Sequence, residues 1–273
     1  MWTDELFHVK KPIIALLHLR ALPGDPLYEK GATMGEVIEK AARELQALQE
    51  GGVDGILIAN EFSLPYEKKV SYVTVAAMGR IVGELKKEIK VPFGVNIVSN
   101  PLATIDLAAA VEADFVRSTF TGAYIGENGI TDTNIPEVLR RKKALGLDKM
   151  KLLYKVNPES DVYLAERSLE KITKSMIFHC FPDGLCVSGS SAGQETDSSL
   201  VRRVKAVSGF VPVFCNTGCT KENVVEKLSE CDGACVGTAF KKDGKFENFV
   251  EKQRVMEFMD VVKAYRCTMK EGV

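Results

Sequence analysis

The chain has almost no charge of one sign in excess. Its 36 basic and 37 acidic side chains leave a formal net charge of −1. No overall basic field points to nucleic acid as a partner. Long hydrophobic runs are also missing: none reaches the length of a membrane span, and MWTDELFHVKK at the start does not read as a signal peptide. A cytoplasmic location is therefore expected, with no membrane span. The familiar catalytic signatures are absent as well. There is no HExxH, no P-loop and no GxGxxG after the first strand, which argues against zinc protease, nucleotide kinase and dinucleotide-binding readings. The seven cysteines are odd in number, and the pairs Cys215/Cys219 and Cys231/Cys235 have three intervening residues, not the two of a zinc ribbon. Cys186, Cys215 and Cys235 lie inside apolar runs, where cysteine acts as a small hydrophobe in a reducing compartment.

What the chain does have is regular alternation. With 273 residues, 45% of them hydrophobic, it is long enough for a large core. Short apolar runs alternate with helical stretches, the pattern of a parallel sheet. The expected strands are 12–19, 55–59, 92–98, 115–120, 151–156, 185–188, 211–215 and 233–236. Strands apolar along their whole length suit burial on both faces. The expected helices are 34–49, 72–89 (interrupted by Gly79 and Gly83), 102–111, 135–145, 162–175, 198–206, 220–228 and 248–265. In the first of them Val37, Ile38, Ala41, Leu45 and Leu48 share one face. Eight strands and eight helices, with no break in composition, predict a single (β/α)₈ barrel domain over 1–273. A doubly wound open sheet is the second choice. The stretch Thr121–Asn134, with three glycines, is expected to be a flexible loop serving as a lid or closing a partner interface.

In such a barrel the chemistry sits where strands end. The polar residues there are His18, Asn60, Glu61, Asn96, Arg117, Thr119, Lys155, Asn157, Ser188, Asn216 and Thr238. Candidate catalytic residues are Lys155, Glu61, Arg117, His18 and Asn96. Arg117, Lys155 and Glu61 have two readings: a structural ion network across the mouth, or a catalytic group. Lys155 has three further options, namely a Schiff base, an anion ligand or a general acid. His18 is a general base or a hydrogen-bonded rim residue. Glu61 is an acid/base, or a cation ligand with Asn60 and Asn96; that oxygen-rich set would suit Mg²⁺, although no metal or other cofactor is required. Glu127 is placed to close over a substrate from the glycine-rich loop.

Pro212–Phe240 organises the rest. Two strands, each ending in a Gly/Thr turn and joined by a helix, form a βαβ unit at the end of the pattern. Barrels often bind phosphate in the loops after their last two strands. Gly189, Asn216, Gly218, Gly237 and Thr238 are therefore candidate phosphate ligands. The alternative is that the glycines only permit tight turns.

Longer motifs match a known family. ALLHLRALPGDPLY, GGVDGILIANEFSLPY, GVNIVSN, ADFVRSTFTGAYIGENGI, VFCNTGCTKENV and GACVGTAFKKDGKF run in order along nearly the whole chain. In them the chain resembles the BtpA/SgcQ family. The resemblance implies a barrel similar to the ribulose-phosphate-binding group. It also implies either a link to photosystem I accumulation, as in cyanobacterial members, or to sugar metabolism, as in members encoded beside sugar-uptake genes. The chain departs from the family where Tyr154–Lys155–Val156–Asn157 stands in place of a VKH-like stretch, at SGSSAG after the sixth strand, and at Asn216–Thr217–Gly218. The expected function is an enzyme of isomerase or aldolase/lyase type acting on a small phosphorylated, sugar-derived metabolite, as a homo-oligomer. The alternative is a non-catalytic assembly or regulatory factor.

Overall fold

Eight apolar segments pair side by side into a closed parallel barrel. They are Ile13–His18 (β1), Gly55–Ala59 (β2), Phe93–Asn96 (β3), Phe115–Ser118 (β4), Lys151–Asn157 (β7), Gly184–Val187 (β9), Val213–Cys215 (β10) and Gly233–Val236 (β11). Neighbours in the barrel follow chain order, and β11 closes onto β1. The structure is a computed structural model and describes residues 1–189, 194–216 and 218–269. The closed barrel agrees with the expectation from alternation and displaces the open sheet.

Between the strands run Met34–Gly51 (α2), Tyr72–Leu85 (α3), Pro101–Val111 (α4), Ile135–Ala144 (α5), Leu169–Cys180 (α6), Ser198–Lys205 (α7), Val224–Glu230 (α8) and, last, Lys252–Thr268 (α9). Capping side chains fix several starts. Thr33 and Glu36 form a capping box on α2, while Asn100 and Ser168 accept backbone N–H groups at the starts of α4 and α6. Gly79 and Gly83 do not interrupt α3, contrary to expectation, because they sit inside a turn-by-turn pattern of buried Ala77, Met78, Ile81 and Val82. Among the described residues no helix is long and apolar enough to cross a membrane.

Alternation along each strand sorts the core into two parts. Ile13, Ala15, Leu17, Ile56, Ile58, Val95 and Val116 pack outward against the helices. Ile14, Leu16, Leu57, Phe115, Leu153, Cys186, Phe214 and Cys235 fill the barrel. The same alternation turns His18, Arg117 and Lys155 inward, one layer above them.

The floor of the barrel is closed by a helix absent from the sequence reading, Trp2–Phe7 (α1). Phe7 lies edge-on to Phe115, with ring centroids 5.9 Å apart, and Trp2 donates from Nε1 to the Asp183 carbonyl at 2.8 Å. A fourfold device trims the same end. Asp54, Asp114, Asp183 and Asp232 each precede one of the alternate barrel strands β2, β4, β9 and β11. Their carboxylates accept the N–H of Ile13, Phe93, Leu152 and Val213 at 2.7, 2.9, 2.9 and 2.8 Å. Each aspartate N–H returns a bond to the carbonyl of the same residue. The strands β1, β3, β7 and β10 are thus each clamped at the first or second residue to the barrel strand that follows, which satisfies backbone groups that would otherwise be buried unpaired.

Two expectations fail on the mouth side. Thr121–Asn134 is not a featureless loop. Ala123–Gly126 (β5) and Gly129–Asp132 (β6) form a hairpin around Glu127–Asn128, and Val162–Tyr163 (β8) pairs with β5 to give a three-stranded antiparallel sheet. Its glycines serve packing: a Cβ at Gly126 would strike the Asp161 carboxylate, and one at Gly122 would strike Tyr163 and Tyr124. Tyr124 is buried against Tyr163 at 5.1 Å. For the same reason the helix expected from Val162 starts at Leu169: Val162 and Tyr163 are committed to the sheet. The final helix likewise starts at Lys252, not Asn248, and α8 at Val224, not Thr220.

Candidate active site

At the C-terminal ends of the strands, inward polar side chains form a connected chain of contacts. Arg117, on β4, is 2% exposed. It donates from one terminal nitrogen to Asn216 Oδ1 at 2.8 Å, and its other terminal nitrogen lies 3.5 Å from Glu61 Oε1. Asn216 in turn donates to Ser188 Oγ at 2.9 Å and to Glu159 Oε1 at 3.3 Å. Glu159 Oε2 takes Lys155 Nζ at 3.2 Å. Tyr66 donates to Glu61 Oε2 at 3.0 Å. Asn157 and Ser188 exchange bonds at 2.8 and 3.0 Å, stitching β7 to β9 beside a register shift.

The expected ion network therefore exists, with members the sequence reading leaves out. Lys155 pairs with Glu159, not with Glu61. Glu159 follows β7 by two residues and sits four after Lys155, so spacing is its one local signal. Tyr66 lies in the β2–α3 connection and has no such signal.

Two cavities share this network. One, of about 290 Å³, is lined by His18, Glu61, Arg117, Glu159, Asn216, Gly218, Gly237, Thr238, Arg254 and Phe246. The other, of about 530 Å³, is lined by Glu61, Asn96, Thr119, Glu127, Lys155, Glu159 and Asp161. Glu61 and Glu159 face both. Arg117 and Glu61 thus share a cavity with Gly218 and Gly237, whereas Lys155 and Asn96 face the adjoining one. Asn96 Oδ1 is buried without a hydrogen-bond partner among the described residues. Asn60 accepts the Val98 N–H on its side-chain oxygen at 2.8 Å. Among the described residues no group of three or more His, Cys, Asp or Glu is placed to hold a metal ion.

The two candidate phosphate turns are tightly packed. Gly218 has φ +69°, and a Cβ there would run into the backbone of Gln194 and Glu195. A Cβ at Gly237 would come within 3.0 Å of the His18 ring. Glycine at 218 is thus required by neighbouring backbone, whatever the turn binds, and at 237 a side chain would be tight against His18. Gly189 is buried at the end of β9 and carries contacts of its own. Residues 190–193, the core of the Ser/Gly-rich loop, and Thr217 lie outside the described residues.

Electrostatics follow from burial. Burial pulls the Arg117 guanidinium down, but Cys235 beneath it and the Glu61 and Glu159 carboxylates outweigh that and hold it above its ordinary value. Burial pushes Tyr66 upward, helped by Glu61, so it stays a hydrogen-bond donor. His18 is held well below the usual histidine range by burial first and then by the positive charges of Lys241, Arg117 and Lys40. A buried neutral imidazole has a stability consequence. The unfolded imidazole titrates near about 6.5, and the folded one lower. Its contribution is complete above that value and is lost as pH falls, at up to about 1.4 kcal/mol per pH unit. His18→Gln is expected to flatten the drop in urea-unfolding free energy between pH 7.5 and 5.5. A variant with the wild-type slope would refute the assignment.

Comparisons with known proteins bear on the family. The sgc region protein SgcQ of Escherichia coli K12 is 48% identical over 97% of this chain and 99% of its own. The photosystem I biogenesis protein BtpA of Synechocystis is 28% identical over 94% of this chain and 90% of its own. Among solved structures, (S)-3-O-geranylgeranylglyceryl phosphate synthase of Thermoplasma acidophilum, in complex with sn-glycerol-1-phosphate, superposes with a TM-score of 0.61 at 15% identity, covering 96% of this chain and 97% of its own. That likeness is one of fold, a barrel of the same kind. The model of the BtpA family matches residues 9–264, and the chain belongs to that family.

Proposed function

We propose that this chain is a cytoplasmic barrel enzyme acting on a small phosphorylated, sugar-derived metabolite by isomerase or aldolase/lyase chemistry. The observation that carries the reading is Arg117: a buried guanidinium, oriented by Asn216 and Glu61, facing a cavity that also holds the turns after β10 and β11. A fixed cation beside a carboxylate suits reactions in which an enolate or oxyanion develops while a proton moves. Glu61, held by Tyr66, is the proton carrier in this scheme and Arg117 the oxyanion partner. The phosphate would lie at Asn216–Gly218 and Gly237–Ala239. Arg254, steadied by its 3.0 Å bond to the Ala239 carbonyl, stands at the same rim. The related barrel solved with sn-glycerol-1-phosphate is support by analogy of fold.

A thermal-shift screen against inorganic phosphate, sugar phosphates and nucleotides tests the reading. A ligand at a hundred times its dissociation constant adds about 2.7 kcal/mol, or roughly 5–11 °C for a chain of this size. No shift with any phosphorylated compound would count against it. It would favour the second reading, a non-catalytic assembly factor, for which the observation is the relationship to the photosystem I biogenesis protein.

A further inference from the structure

Just beyond β11, beside an aromatic ring that lines the Arg117 cavity, lies a lysine that the scheme above does not use. Lys241 is fully buried, and its Nζ has no hydrogen-bond partner among the described residues. Buried ammonium groups are normally paired. Here the amine sits beside two rings, 5.4 Å from the centroid of Phe62 and 5.5 Å from that of Phe246. The rings stack on each other at 4.7 Å, and Phe246 also lines the Arg117 cavity. His18 packs against Phe246 at 5.1 Å, with Nδ1 buried and unpartnered among the described residues. The surrounding charges are Glu44, Lys40, Glu61 and Glu247. Lys40 pairs with Glu44 Oε1 at 2.8 Å, while Glu44 Oε2 is buried without a hydrogen-bond partner among the described residues. By contrast Lys155, another lysine of the mouth, is tied to Glu159.

We propose that Lys241 is an amine nucleophile for small aldehydes or ketones, reached from the Arg117 cavity when Phe246 swings aside. Burial above all brings its pKa down to about 8, so the neutral amine is abundant near physiological pH. The step is a condensation. The Nζ lone pair bonds to the carbonyl carbon as the C=O π pair moves onto oxygen. A proton passes from nitrogen to that oxygen, with the free Nδ1 of His18 as the relay, giving a carbinolamine. The C–O bond then breaks and water leaves, so amine plus carbonyl gives imine plus water with no oxidant or reductant. A protonated imine accepts the electron pair of an adjacent C–H or C–C bond, which is what isomerase or lyase chemistry needs. The substrate class thereby narrows to aldehydes and ketones. Only the link to a phosphorylated substrate rests on the function proposed above.

Glycolaldehyde, which carries no phosphate, keeps the two questions apart. The full chain is incubated with it at pH 8, trapped with borohydride, and the adducts are mapped by mass spectrometry. At that pH the neutral fraction of an amine with a pKa of about 8 exceeds that of an exposed lysine by about 100-fold. We expect Lys241 to be modified at least ~10-fold ahead of exposed Lys242 and Lys245 after allowance for access. Phe246→Leu should raise the rate at Lys241, and Lys241→Met should remove that adduct while leaving the exposed sites unchanged. Melting curves establish that both variants fold. Preferential labelling in either the wild-type or the Phe246→Leu protein supports the proposal. No preference for Lys241 in both folded proteins overturns it, whatever the phosphate screen shows.

Discussion

Replacing Arg117 by methionine is expected to abolish the thermal shift given by phosphorylated ligands and to lower stability by about 3 kcal/mol, which is roughly 6–12 °C in Tm. The two effects have one cause. Methionine fills much of the volume but leaves Asn216 Oδ1 without its donor and Glu61 without its cation. Removing one member of a buried pair strands the other, which costs more than the pair itself contributes. Asn216 also bonds Ser188 and Glu159, so the loss passes into the link between β9 and β10. Arg117→Lys keeps the charge but not the two-pronged geometry and should fall between. Differential scanning fluorimetry with and without ligand reads both numbers. A methionine variant that keeps the full ligand shift would remove Arg117 from the site.

The second large effect belongs to the other end of the barrel. Phe7→Ala should cost about 3–5 kcal/mol, the range for deleting a buried phenylalanine. Phe7 is 5% exposed and meets Phe115 edge-on, with the backbone of Gly55 against its ring. Leu153, Phe214 and Cys235 belong to the same interior cluster and would line the cavity left behind. Phe7→Leu should recover much of the loss. The ligand shift at the mouth should survive in both variants, because the apolar interior layer stands between. Urea titration decides the matter: a loss under ~1 kcal/mol for Phe7→Ala would mean that α1 is not the plug described.

These two residues also show where sequence is readable and where it is not. Arg117 stands out because a charge inside an apolar strand is legible from one segment alone. The eight strands are legible for the same reason, since burial on both faces leaves unbroken apolar runs. Phe7 has no such signature. A six-residue amphipathic turn becomes a plug only when the barrel that it fills exists. The aspartate clamps do have a trace in sequence, in Asp54–Gly55, Asp183–Gly184 and Asp232–Gly233. Asp114–Phe115 breaks the pattern, and the bonds each makes are to a strand about twenty to forty residues earlier. The hairpin at 123–132 is too short for its alternation to outweigh the three glycines of Thr121–Asn134. Lys241 follows the last strand in a stretch that reads as an exit loop. Its isolation from water and from partners depends on Phe62, almost 180 residues away.

The chain has a single tryptophan, and it lies in the floor, with Phe7 and Phe214 at 6.3 and 6.5 Å and the Lys151 amine at 5.7 Å from its ring. Emission excited at long wavelength therefore reports on the end of the barrel away from the chemistry. Ligand binding at the mouth should leave that spectrum nearly still, while detachment of α1 should redden it before the barrel opens. The protein carries its own optical probe for the plug and needs an added one, such as a tryptophan in place of Phe246, to make events at the mouth visible.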